Sequence, residues 1–332
     1  MKVKIYRAPF RISFAGGGTD YPAYFSKYGG AVISSTIDRY VYVAVNELHA
    51  SSVEKYRISY SRIEHVQSID AIEHPSVREI LRHFQIDTTL NVSTFSDIPA
   101  RSGLGGSSAF ACALIRSCAD LKGISLSPNE VARLAVEVER EKLREPGGYQ
   151  DQYASAFGNL RHYRFDLENT EVSAPLLTLQ EGKEFSKSLF LTAIPVVRNE
   201  KHFVSIPKSD FESDALVGLH RSAIEVEELL TLLQSTCNME EKIEAVGITV
   251  ANSHKNKTLF TDIPHETDSI ISAARLYGAV GSKICGSGGG GFVLSVVSPR
   301  NTKKFLDGMK KRGTFQIRLT ETGVEPGNVT WL

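Results

Sequence analysis

The first residues alternate apolar and polar positions as strands do. Val3 and Ile5, then Ile12 and Phe14, then the run 40–45 carry the apolar set, with turns at Gly16-Gly17-Gly18 and Gly29-Gly30. This spacing predicts a strand-rich, mostly antiparallel opening over residues 2–45. The period then changes. Val77, Ile80, Leu81 and Phe84 lie three and four apart behind Ser76 and Glu79, which predicts a helix opened by a capping box, and residues 90–95 return to a strand. Phe110, Leu114, Cys118 and Leu121 predict a further helix that stops at Gly123, where a missing Cβ suits the left-handed end. Ser127-Pro128-Asn129-Glu130 reads as a capping box with proline at the first helical position, followed by the apolar face Val131, Leu134, Ala135 and Val138 with Glu139 at its rim.

Residues 167–188 have weak periodicity and mixed charge. This places a boundary near Lys187, dividing the chain into 1–186 and 187–332. Beyond it, Leu216, Leu219, Ala223, Val226, Leu230 and Leu233 predict one long helix with a narrow apolar seam for core packing. Asn238 with Glu241 caps another, residues 270–277 belong to a third, and residues 292–297 read as a buried strand. Ser298-Pro299 opens a last helix before a strand at 315–319. Strands and helices alternate without a run of parallel βαβ repeats, so the expected class is α+β.

Length and composition narrow the function classes. The chain has 332 residues, which at roughly 150 per domain suits two domains with a core in each. Lys+Arg and Asp+Glu are 38 each, so no global field points to nucleic acid or to a membrane surface. Cys112, Cys118, Cys237 and Cys285 lie in three separate regions without a CxxC pair, which argues against a zinc or disulfide framework and for a reducing cytoplasm. No apolar run has the length of a signal peptide or a membrane span, and the histidines offer no HExxH-type ligand pair.

Four segments carry chemistry. The strongest is Asp97-Ile98-Pro99-Ala100-Arg101-Ser102-Gly103-Leu104-Gly105-Gly106-Ser107-Ser108, between a strand and a helix. Its glycines let backbone N–H groups close on an anion at a helix N-terminus, and its serine hydroxyls can cap the helix or reach a phosphate-bound magnesium. No lysine follows the glycines, so this is not a Walker A loop. A second run, Gly286-Ser287-Gly288-Gly289-Gly290-Gly291, satisfies G-x-G-x-x-G but leads into a strand, which rules out a dinucleotide fingerprint and leaves close backbone approach to a ligand or a flexible turn. The third, Gly147-Gly148-Tyr149-Gln150-Asp151-Gln152-Tyr153, sets a lone carboxylate among amides and tyrosines, either as a base among sugar-binding groups or as a surface turn. In the fourth, Arg11 on a strand can pair with a carboxylate or phosphate charge, while Asp20, beyond Gly16, Gly17, Gly18 and Thr19 and followed by Tyr21, can bind a sugar diol.

In this order, the segments closely resemble the signature motifs of the GHMP family of small-molecule kinases over nearly the whole chain. Within the family, RAPFRISFAGGGTDYP, DIPARSGLGGSSAF and GGYQDQYASAFGN look most like bacterial D-glycero-D-manno-heptose 7-phosphate kinases. The resemblance implies a two-domain α+β fold: an N-terminal domain with a left-handed βαβ unit, a ferredoxin-like C-terminal domain, and an active site between them. It also implies roles. Asp151 is the base with Arg11 beside it, and Arg101, Ser102, Gly103, Leu104, Gly105, Gly106, Ser107 and Ser108 wrap the phosphates of ATP. Ser107, Ser108 and Glu139 hold Mg2+, and Gly17, Gly18, Thr19, Asp20, Tyr21, Gly148, Gln150, Gly288 and Gly289 meet the sugar. The sequence has Gly106 where the family often has serine and Ser287 where it often has alanine.

The implied reaction is in-line transfer of the γ-phosphoryl group to the anomeric C1 hydroxyl of the heptose 7-phosphate, giving the 1,7-bisphosphate for nucleotide-heptose and surface polysaccharide synthesis. A kinase of unphosphorylated fucose or galactose, and a non-catalytic sugar and nucleotide sensor, are the alternatives. The expected partners are small molecules only, for a monomer or homodimer.

Overall fold

The structure, a computed structural model, describes residues 3–49, 52–195 and 213–327. The first half of the chain builds one mixed sheet from β1 (Lys4–Ala15), β2 (Gly30–Glu47), β3 (Tyr56–Ser59), β4 (Ile63–Val66), β5 (Leu90–Ser96), β6 (Leu160–Phe165) and β7 (Thr170–Val172). Five helices accompany it: α1 (Pro22–Tyr28), α2 (Pro75–His83), α3 (Gly106–Leu121), α4 (Pro128–Val136) and α5 (Gln150–Phe157). After α6 (Leu179–Phe185) come β8 (Leu189–Ala193), α7 (Ser213–Gln234), α8 (Met239–Lys257), α9 (Glu266–Leu276), β9 (Ala279–Ile284), β10 (Phe292–Val297), α10 (Thr302–Met309), β11 (Thr314–Gln316) and the short β12 (Glu325–Pro326).

The larger sheet runs β12-β1-β2-β5-β3-β4, and β2 is long enough to pair with β6 through residues 30–35 and with β5 through residues 41–47. Among the described residues only β3 and β5 pair in parallel, joined by the β4 and α2 crossover. The register of β1 on β2 shifts between Pro9 and Arg11 and again between Ser13 and Ala15, so Arg11 sits between two irregularities. Such bulges re-aim a side chain out of the regular alternation. Helix α3 lies against β1 and β2 and buries Ala109, Ala111, Leu114, Ile115 and Cys118 completely, all with zero relative exposure. Its small residues let the helix sit close to the sheet, and each buried Leu or Ile contributes roughly 1.5–3 kcal/mol.

The second sheet has the order β11-β8-β10-β9 with every neighbour antiparallel. In its own count of strands that is 4-1-3-2, with helices in the first and last connections, as in a ferredoxin-like domain. A separate small core of Phe190, Ile270, Ile284, Val293, Val297, Phe305 and Met309 fills one face. Helix α8 covers the other face and also meets β1, where Ser253 Oγ donates to the Phe14 carbonyl at 3.2 Å. This contact joins the halves directly behind the glycine turn that follows β1.

The helix expected to start at Ser76 starts at Pro75 with His74 as its N-cap, and no side chain caps it, because proline already occupies the first helical position and carries no N–H to satisfy. The stretch 167–188 holds β7 and α6, the latter opened by a Thr178–Glu181 capping box. Helix α1 was hidden in the strand-like opening, and Lys2 at its start lies outside the described residues. The boxes at Ser127–Glu130 and Asn238–Glu241 are both formed. The strand expected at 315–319 is shorter, ending at Gln316, with Leu319 making only an isolated bridge to Ile37.

Candidate active site

The loop after β5 passes through Arg101 and Gly103, both with positive φ, to Gly105, the N-cap of α3 with φ 77° and ψ 27°. No side chain caps that helix, so its first N–H groups face the cleft and its dipole favours negative charge there. Leu104 is fully buried and its carbonyl accepts from Arg11 N at 2.9 Å, which ties the loop to β1. Leu104 therefore anchors the loop from behind rather than lining the cleft.

The second glycine run meets this loop backbone to backbone. A Cβ on Gly286 would fall 2.5 Å from the Gly103 carbonyl oxygen, and one on Gly291 would fall 2.0 Å from that of Ser102. Both glycines also have positive φ, so side chains are excluded twice over. Gly286 and Ser287 line the cleft, whereas Gly288 and Gly289, expected at the substrate, are buried behind it, Gly288 against Thr261.

Arg11 and Asp151 meet at the centre. Both Nε and Nη2 of Arg11 lie 2.7 Å from Asp151 Oδ1, and Nη1 donates to the Gly103 carbonyl at 2.8 Å. Asp151 sits in the first turn of α5, where a carboxylate complements the helix dipole, and its Oδ2 makes no hydrogen bond among the described residues. Of the two readings of this segment, the surface turn gives way to the start of a helix. Gly105 leaves room for the pair, since a Cβ there would stand 3.2 Å from Arg11 Cγ and 3.4 Å from Asp151 Oδ2.

Beside this pair lies Asp20, 1 % exposed, accepting from Gly18 N at 3.1 Å and Gln150 N at 3.2 Å. Burial, and then the neighbouring Asp151, push its carboxyl above the usual range. Gly17, Gly18, Tyr21, Gly148 and Gln150 line the same wall, and Gln150 keeps a buried Oε1 with no partner. Thr19 does not line it. Its hydroxyl is spent on the carbonyls of Gly16 (2.8 Å) and Ala31 (2.7 Å), so it fixes the turn that presents Asp20.

Glu139 is fully buried on the irregular helical turn Glu137–Lys142, a π-type widening of the kind often kept at functional sites. Its Oε2 accepts from Ser108 Oγ at 2.6 Å and from Gln152 Nε2, while Oε1 has no partner. An orphaned carboxylate oxygen beside a serine hydroxyl is a hard oxygen donor set, which fits magnesium. Ser107 is exposed in the cleft and Ser108 is buried against Glu139. Among the described residues, no group of three His, Cys, Asp or Glu could hold a metal.

The cleft has a volume of about 580 Å³ and includes basic side chains that the sequence reading did not single out: Arg140, Lys257 and Lys283. Arg140 donates to the carbonyls of Gly148 (3.1 Å) and Glu145 (3.4 Å). Lys257 Nζ donates to the Gly286 carbonyl. Burial lowers the Lys257 ammonium to about 8 and the Lys283 ammonium to about 7. Nothing in sequence spacing marks them. Lys257 ends a helix rich in basic residues and Lys283 lies inside a strand.

Residues 71–159 match the GHMP kinases N terminal domain and residues 221–314 the GHMP kinases C terminal domain. The chain is 26 % identical to D-glycero-alpha-D-manno-heptose 7-phosphate kinase of Campylobacter jejuni over 98 % of this chain and 99 % of that protein. It is 23 % identical to a galactokinase of Thermotoga neapolitana over 98 % of each. The crystal structure of a D-glycero-D-manno-heptose 1-phosphate kinase from Bacteroides thetaiotaomicron superposes with a TM-score of 0.79 at 21 % identity, covering 99 % of each chain. None of the described helices is long and apolar enough to cross a membrane. With both domains of the family matched and the same two-sheet architecture present, the chain belongs to the GHMP kinase family and is an ATP-dependent phosphotransferase with an alcohol group as acceptor.

Proposed function

We propose that the enzyme is a sugar kinase that phosphorylates the anomeric C1 hydroxyl of D-glycero-D-manno-heptose 7-phosphate, giving the 1,7-bisphosphate for nucleotide-heptose and surface polysaccharide synthesis. The observation that carries the reading is the Arg11–Asp151 pair set between the glycine-capped start of α3 and the buried Asp20. The full-length likeness to the Campylobacter jejuni heptose 7-phosphate kinase supplies the substrate class.

In this mechanism the acceptor hydroxyl binds between Asp20 and Asp151. Arg11 occupies Asp151 Oδ1, which leaves Oδ2 to take the hydroxyl proton as the oxygen attacks. The N–H groups from Gly103 to Ser108, with Arg101 and Ser102 beside them, hold the phosphates of ATP and stabilise charge on the transferring group. Asp20, Tyr21, Gly148 and Gln150 orient the sugar, and the wall of Gly17 and Gly18 lets it approach the backbone. Glu139 with Ser107 and Ser108 would hold Mg2+, which neutralises phosphate charge when bound. The boundary between the domains 1–186 and 187–332 is supported by the change of sheet between β7 and β8, with the tail of the second crossing back to pair β12 with β1. We assign the enzyme to the cytoplasm.

A kinase of an unphosphorylated sugar is the second reading, favoured by the full-length galactokinase relatives. Coupled ADP release decides between them. Turnover of the heptose 7-phosphate, lost when the 7-phosphate is removed, is expected. Equal or better turnover of galactose or another free sugar would replace it.

A further inference from the structure

The second half of the chain contributes a buried cationic corner to the cleft. Lys257, from the last turn of α8, is 8 % exposed, and Lys283, from β9, is 4 % exposed; both line the cleft, with Phe260, Thr261 and Cys285 on the same wall. Asp20 and Gly148 line the same cleft. Among the described residues no carboxylate lies within ion-pairing distance of either ammonium.

Two buried lysines without a counter-charge are costly to keep charged, and Lys257 adds to the burial that lowers the proton affinity of Lys283. Such an arrangement persists in a protein when something else supplies the compensating charge. The other cations of the cleft are already engaged. Arg11 is bound to Asp151 and Gly103, Arg140 to two backbone carbonyls, and Arg101 lies on the phosphate loop. The Lys283 ammonium has no hydrogen-bond partner among the described residues, and the Lys257 ammonium keeps only the Gly286 carbonyl.

We infer that Lys257 and Lys283 form an anion subsite for a phosphomonoester carried by the acceptor itself, separate from the loop that holds the nucleotide phosphates. This rests on the sugar kinase reading and deepens it: the first sheet supplies the base and the diol contacts, and the second sheet supplies recognition of the far phosphate. A dianion entering this corner meets both ammonium groups, Thr261 and the backbone around Gly286. Glu225 and Cys285 also act on Lys283, and Asp20 and Asp151 on Lys257, so the pair is tuned by groups from both halves.

The test is equilibrium binding with ADP saturating, so that the nucleotide loop is filled, using D-glycero-D-manno-heptose 7-phosphate and the same heptose without phosphate. The native protein should bind the phosphorylated sugar about 10- to 100-fold more tightly, the scale of hydrogen bonds to a charged group. Lys283→Met should bring that ratio close to one. A native ratio near one, a ratio unchanged in Lys283→Met, or an equal loss for both sugars overturns the subsite. Should Lys283→Met not fold, Lys257→Met is read by the same ratio. Should the native protein bind neither heptose, the heptose reading fails on its own, and inorganic phosphate added to the ADP complex decides the subsite. A rise in Tm in the native protein that the lysine variant lacks supports it, and equal or absent rises overturn it.

Discussion

A methyl group on Gly148 would fall 1.8 Å from Asp20 Oδ2, closer than any real Cβ contact. Gly148 is therefore the position that lets α5 bring the Gln150 N–H onto Asp20. Gly148→Ala must displace either the carboxylate or the helix start. We expect a stability loss of about 1–3 kcal/mol, as for other overpacked sites. Steady-state kinetics should show at least a ~10-fold higher KM for the acceptor, the cost of a disturbed hydrogen bond to a charged group, with the KM for ATP little changed. Equal rises in both would place Asp20 outside the acceptor site.

Asp151→Asn keeps the size of the side chain and removes the carboxylate proposed as the base. Turnover should drop by about 10²–10⁴-fold, the usual contribution of a positioned proton acceptor, while ATP affinity by titration stays close to native. Unchanged turnover would take the proton-accepting role from Asp151.

Glu139→Gln preserves one hydrogen-bond acceptor for Ser108 but removes the charge. The magnesium concentration for half-maximal activity should rise by about 10- to 100-fold, as when the setting of a metal site is disturbed. A purely structural Glu139 would instead show a lower melting temperature with the magnesium requirement unmoved.

Acid stability provides a test away from the cleft. The Lys242 ammonium, together with the Thr178 backbone N–H, holds the Glu181 carboxyl down to about 2. Its folded value lies below its unfolded one of about 4.3, so the stability it supplies is complete above that pH and lost as pH falls toward 2. One side of this pair is open to solvent and screened, so Glu181→Gln should cost only about 0.5–1 kcal/mol at neutral pH. Melting curves of variant and native protein should converge as the pH is lowered through that window.

Local grammar was the most legible part of the chain. Ser127 with Glu130 and Asn238 with Glu241 write their helix starts into four consecutive residues, and the structure forms both boxes. Ser76 with Glu79 carries the same spacing, yet Pro75 takes the first helical position and moves the cap to His74. Proximity between distant segments was less legible. Gly286 touching Gly103, or Gly291 touching Ser102, depends on how the two sheets dock, which no window of sequence encodes. Lys257 shares its turn with His254 and Lys255, so it reads as a charge complementing the helix end. Lys283 stands between Ser282 and Ile284, where strand alternation would be expected to turn it to solvent. Tertiary docking buries it instead.

The chain's return to its own beginning has a consequence for how it is made. Residues 317–327 leave the second sheet and rejoin the first: Thr320 accepts from Asn159 N, Gly158 presses against Thr322, and Glu325 pairs with Arg7 at 2.5 Å beside β12 on β1. The edge of β1 is thus closed by a segment that leaves the ribosome more than three hundred residues later. During synthesis that edge stays open to other strands, and the amino-terminal lobe expressed alone would keep it open permanently.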